Sequence, residues 1–149
     1  GCRVEETLRI TFGSCKIHKK NNGTSELRFT LKGKTGVRPV RGMIGAVSAF
    51  ERLSKRFPDH KKTDCLFPQR HTDGLNALLK ETNLKLDSFG KVRNAKSFRS
   101  TFIMFRLMAN QPIKSVATNC GTSSDVIDKY YAKFIDVNML DDSFTDLPE

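Results

Sequence analysis

A chain of 149 residues, 38% hydrophobic and 28% charged, has the size and composition of one globular domain with a single core. No apolar run approaches the roughly 18 residues that span a bilayer, and the first ten residues, carrying Arg3, Glu5, Glu6 and Arg9, do not read as a secretory leader. The net charge is +10; the last fourteen residues hold five acids (Asp136, Asp141, Asp142, Asp146, Glu149) and no Lys or Arg, so residues 1–135 carry +15, a balance that suits a polyanionic partner.

In chain order, Val4 to Leu8 reads as the end or turn of a helix. Cys15 to His18 is a short β-forming run, and Ser25 to Leu31 alternates, with Leu27, Phe29 and Leu31 on one face and Glu26, Arg28 and Thr30 on the other. Lys19 to Gly23 is a polar hairpin loop between them. A turn at Gly33 to Gly36 leads into Val37 to Met43, where Pro39, lacking an amide donor, implies an edge strand or bulge. Then the pattern turns helical. Ala46 to Phe57 spaces Val47, Phe50, Leu53 and Phe57 on one side and stops at Pro58. Leu66-Phe67-Pro68 reads as a short buried plug, followed by a helix from about Leu75 to Leu84 started by Thr72 or Asp73. Ser97 to Met108 offers Phe98, Phe102, Phe105 and Met108 to a core stripe. Pro112 opens a short helix to about Asn119, Gly121 breaks it, and Ser123 or Ser124 caps a last helix through Phe134. The fold class is α+β, a small antiparallel sheet of about three strands followed by a mostly helical bundle. The body spans 1–135, and 136–149 is an acidic tail.

Cys2, Cys15, Cys65 and Cys120 lie far apart without a CxxC pair, and His18, His60 and His71 show no ligand spacing. Thiols in a reducing compartment fit better than a zinc site or a disulfide framework, and no metal is expected.

The chemistry-bearing residues fall in four segments. Gly1-Cys2-Arg3 is followed three residues later by Glu6; Lys32-Gly33-Lys34-Thr35-Gly36 sits at the second hairpin; Lys96-Ser97-Phe98-Arg99-Ser100-Thr101-Phe102 opens a helix; and Gly121-Thr122-Ser123-Ser124 leads through a short helix to Tyr130-Tyr131. In this order, and with 32 residues from Arg99 to Tyr131, the set resembles the catalytic domain of the tyrosine recombinases, the phage-integrase family. The resemblance runs from Gly1 to about Phe134. It implies that family's catalytic-domain fold, lacking the first helices and the core-binding domain that precede it in the family. It also implies a double-stranded DNA substrate, a homotetramer on paired sites, no membrane, no cofactor, and a place in the cytoplasm at the bacterial nucleoid. The apolar residues Val137, Met139, Leu140 and Phe144 of the tail would then dock on a neighbouring subunit.

The chemistry gives these residue types a reason to occur together. Displacement at a phosphodiester spreads charge over the non-bridging oxygens, and two guanidiniums, Arg3 and Arg99, would clamp them. Preorganised donors of this kind are worth roughly 3–4 kcal/mol each in oxyanion sites. Tyr131 would attack phosphorus and form a 3′-phosphotyrosine, Lys34 would protonate the leaving 5′-oxygen, and Glu6 would support Arg3 or nearby backbone. The covalent intermediate stores the bond energy, so rejoining needs neither ATP nor metal. Lys96 and Thr122 stand where the family commonly has histidine, or tryptophan at the second, and Ser100 replaces another frequent histidine. A lysine in the first turn of a helix opposes the macrodipole, which hints at an anionic partner.

Each assignment has a rival. Arg3 otherwise reads as a solvated residue, Lys32 competes with Lys34, and Tyr130 competes with Tyr131. Arg99 on an apolar helix face is hardest to explain away, because an unpaired buried guanidinium is costly. A degenerate relic that binds DNA without cutting it, and a type IB topoisomerase, are the alternative functions.

Overall fold

The alternation of Ser25 to Leu31 sets the architecture. In the computed structural model of the protein, which describes residues 1–33, 36–43 and 45–131, this segment lies within the middle strand of an antiparallel sheet. The strands are β1 (Cys15–Lys19), β2 (Ser25–Gly33) and β3 (Gly36–Arg41), in the order β1-β2-β3. Cys15 stands opposite Phe29 and Phe29 opposite Val40, so one row of apolar side chains crosses the inner face. Pro39 sits on the edge strand β3, where the missing amide interrupts no ladder on the open side.

On the outer face, Glu26 departs from the expected solvated position. It is buried because Arg28, Lys20 and Arg41 close over it. The hydrogen bond from Arg28, ahead of a burial effect that opposes it, holds its carboxyl below the usual range.

The helices are α1 (Val4–Thr7), α2 (Ala46–Arg56), α3 (Thr72–Glu81), α4 (Ala95–Met108), α5 (Ile113–Cys120) and α6 (Ser124–Tyr130), with a 3₁₀ turn at Phe12–Ser14. The protein is therefore α+β, with a three-stranded antiparallel sheet near the start followed, among the described residues, by five helices. None of these is long and apolar enough to cross a membrane.

Two clusters make the core. Ile10, Cys15, Leu27, Leu31 and Val40 are buried under Val47 and Phe50 of α2, with Leu66 beside them. The second cluster joins α4, α5 and α6 through Ile103, Leu107, Val116, Ala117, Cys120 and Ile127, with Phe102, Ile113 and Tyr131 packed against it.

Four sequence expectations need correction. The core stripe of α4 is Ile103 and Leu107, whereas Phe98 and Phe105 are each 55% exposed and Met108 is also exposed; of the expected stripe only Phe102 packs inward. Of the Leu66-Phe67-Pro68 plug, Leu66 packs inward but Phe67 and Pro68 are exposed. The third helix ends at Glu81 rather than Leu84, because Asn83 adopts a left-handed conformation (φ 55°) and the Leu84 amide closes back on the Leu79 carbonyl at 2.8 Å. The last helix ends at Tyr130, leaving Tyr131 at its C-cap, and residues 132–134 lie outside the described residues.

Candidate functional site

The first segment is built around a buried acid. Arg3 occupies the N-cap of α1, and Glu6, at the third helical position, turns its carboxylate back to accept the Arg3 amide at 2.8 Å. The Arg3 Nη1 also donates to Glu6 at 3.3 Å, with its side chain half exposed. Glu6 itself is only 5% exposed, and a buried carboxylate needs full compensation.

Most of that compensation comes from Arg38, which the sequence reading did not single out. Its Nη1 and Nη2 donate to the two oxygens of Glu6 at 2.9 and 2.8 Å, a bidentate fork. Burial pushes the Glu6 carboxyl up, but the Arg38 fork and the Arg3 amide outweigh it and bring the pKa down from 4.5 to about 2. A signal for Arg38 was present in the register. Arg38 shares a face with Val40 two residues on, so the alternation of β3 turns a guanidinium toward the core, where it requires an acid.

Arg38 also reaches the far end of the chain. Its Nη2 donates to the Cys120 carbonyl at 3.3 Å, and its guanidinium lies flat against Gly121. Gly121 ends α5 in the left-handed region (φ 64°), and a Cβ there would sit 2.7 Å from the Arg38 Nε. Glycine is required twice at this position, for its backbone and for the approach of Arg38.

Arg99 makes the second junction. Asn94 caps α4 by accepting the Lys96 amide at 2.9 Å, and Ser97 returns a bond to the Asn94 amide, which fixes the first turn. One turn from Lys96, the half-buried Arg99 donates through Nη1 to the Gly1 carbonyl and, at 2.7 Å, to the Cys120 carbonyl. The Cys120 carbonyl thus accepts from both Arg38 and Arg99, and the segments holding Arg3, Arg99 and Thr122 converge on it. Thr122 follows directly, half-buried, its amide bonded to the Ala117 carbonyl at 3.0 Å. The Cys120 thiol is fully enclosed, and burial pushes its pKa up, away from the reactive thiolate.

The remaining candidates stand at different distances from this junction. Lys96 is exposed at the start of α4. Tyr131 is half-buried at the C-cap of α6, its amide held by the Ile127 carbonyl at 2.8 Å and its side chain against the cluster that contains Cys120. Tyr130 points outward with the Lys129 ammonium 5.5 Å from its ring. Lys34, between β2 and β3 in sequence, lies outside the described residues. No family model, curated protein or solved structure matches the chain.

Proposed function

We propose that the chain is the catalytic part of a tyrosine recombinase, cutting and rejoining double-stranded DNA through a 3′-phosphotyrosine at Tyr131. The observation that carries this reading is the shared Cys120 carbonyl. Arg38 and Arg99 both bond to it, and with the Arg99 bond to the Gly1 carbonyl this ties together the chain segments that carry Arg3, Arg99 and Thr122. A packing core does not require arginines from a strand and a helix to meet on one carbonyl. Guanidiniums held in register suit a phosphodiester, because their paired donors match the charge that develops on its non-bridging oxygens.

In this reading each contact has a task. One Nη of Arg99 is spent on the Gly1 and Cys120 carbonyls, which fixes the plane of the guanidinium. Its Nε and other Nη are the edge assigned to the phosphate oxygens. Arg3 supplies the second guanidinium, its Nη1 held by Glu6 at 3.3 Å. Thr122 contributes a hydroxyl donor and Lys96 an ammonium at the opening of α4. Lys34 delivers the proton to the leaving 5′-oxygen from the hairpin that Arg38 ties to Glu6. Tyr131 forms the bond to phosphorus as that oxygen leaves, and attack by another strand's 5′-hydroxyl reverses the step.

A second reading has one observation in its favour. Tyr131 is half-buried on the Cys120 cluster, and a phenol must be free to reach a phosphorus. A relic that binds DNA without cutting would keep the tyrosine packed. A suicide duplex nicked beside the cleavage position separates the two when scored for a protein–DNA adduct on a denaturing gel. The proposal expects an adduct that Tyr131→Phe abolishes and Tyr130→Phe leaves; DNA binding without any adduct favours the relic.

A further inference from the structure

The outer face of the sheet carries a line of cations that the candidate site does not use. Lys16 stands directly opposite Arg28, and Arg28 directly opposite Arg41, all three on the face turned away from Cys15, Phe29 and Val40. Like charges placed directly across a ladder destabilise it. Lys32 lies on the same face of β2, and Lys20 stands at the turn. The one acid on this face, Glu26, already serves Arg28, with the Lys20 Nζ at 3.3 Å and the Arg41 Nε at 3.7 Å. One carboxylate among five cations leaves a strong excess of positive charge. Lys16, Thr30, Lys32, Val37, Pro39 and Arg41 on this face are all exposed.

The line is also joined to the candidate site. The Arg41 amide donates to the Asn119 side chain at 2.8 Å, and the Asn119 amide group donates back to the Arg41 carbonyl at 3.3 Å. Asn119 directly precedes Cys120, so the cationic line ends at the edge strand clasped to the arginine junction. With strands ~4.8 Å apart, the line spans on the order of 10 Å, enough to meet about two neighbouring phosphates of one strand.

We propose that this face is a second contact for duplex DNA, gripping by its phosphates the stretch that flanks the duplex held at Arg3, Arg99 and Thr122. The proposal rests on the recombinase reading for the choice of polyanion. Such a contact is independent of base sequence and disappears with salt, because each neutralised phosphate releases counterions. It extends the footprint beyond the reacting phosphodiester and adds nothing to the chemical step.

The test measures affinity for a duplex of about 40 base pairs as a function of salt, with the full chain carrying Tyr131→Phe so that no strand is cut. Adding Lys16→Gln and Arg41→Gln leaves the Arg28, Glu26 and Lys20 group intact and should lower the slope of log K against log salt by about 2. The charge-conserving pair Lys16→Arg and Arg41→Lys should restore it. Both side chains are exposed, and the Gln pair trades the relief of the Lys16–Arg28 and Arg28–Arg41 repulsion against the 3.7 Å Arg41 contact to Glu26, which keeps Arg28 and Lys20, so its melting temperature should change little. An unchanged slope in the folded Gln pair overturns the proposal. The chain with Tyr131 intact, run in parallel on the suicide duplex, keeps the two ideas apart. An adduct together with an unchanged slope removes the outer face and leaves the recombinase. A lowered slope without an adduct does the reverse.

Discussion

Glu6 and Arg38 are the residues on which the site depends most, and they fail in an unusual pH window. The folded-state pKa of Glu6 is depressed to about 2 from 4.5. Its contribution to stability is therefore fully present above about pH 4.5 and is lost as pH falls toward 2, where the unfolded chain binds a proton that the folded one resists. Melting curves at stepped pH should show the wild type losing its advantage over Glu6→Gln across that interval. Glu6→Ala, which strands a buried guanidinium, should cost about 3–5 kcal/mol. Gly121→Ala should destabilise by more than about 1 kcal/mol in denaturant titrations, since alanine is strained at φ 64° and collides with Arg38. Of this residue-level site, Glu6 was marked as a support for Arg3 by the family resemblance, and the capping geometry that joins them is local. The Arg38 bond to Glu6 was not legible, because it joins positions 32 residues apart and only the strand register brings them together.

The elements differ in how clearly the sequence wrote them. The sheet was readable because a period of two admits one inner face: Leu27 and Leu31 cannot be buried without Arg28 turning outward. In α4 the aromatics misled. A helix with Phe98, Phe102 and Phe105 along one line and Arg99, Ile103 and Leu107 along the next has two candidate faces, and hydrophobicity alone prefers the aromatics. The choice was made by α5 and α6, which pack on Ile103 and Leu107 and leave Phe98 and Phe105 outside. Equilibrium unfolding should separate the faces: Ile103→Ala is expected to cost about 2–5 kcal/mol, and Phe105→Ala to stay within about 0.5 kcal/mol. Caps were legible only in part: α3 has His71 at its N-cap with no side-chain bond, and Asn94 carried no signal that was read. Ser123 accepts the Val126 amide as its position suggests, and Asn94 fixes the turn that presents Lys96 and Arg99.

At the scale of the molecule, the two core clusters meet through arginines. The sheet cluster contributes β3 with Arg38, the helical cluster contributes the Cys120 carbonyl and Arg99, and α1 sits between them with Glu6. Removing Arg38 should therefore loosen a junction rather than a core. In Arg38→Ala, hydrogen exchange is expected to quicken at β3 and at the end of α5 while α3 is unaffected; uniform quickening would instead mean global destabilisation. The basic body, +10 overall with an acidic tail, was legible from composition and pointed to a polyanion. The recombinase chemistry proposed above would rest on the segments joined at Cys120 and on Tyr131.

The central claim is that one named phenol carries the DNA. It is tested most directly by trapping the adduct on a suicide duplex, digesting the protein and the DNA, and locating the nucleotide by peptide mass spectrometry. The nucleotide is expected on Tyr131, in the peptide that begins after Lys129. A nucleotide on Tyr130, or on a residue outside this peptide, would contradict it.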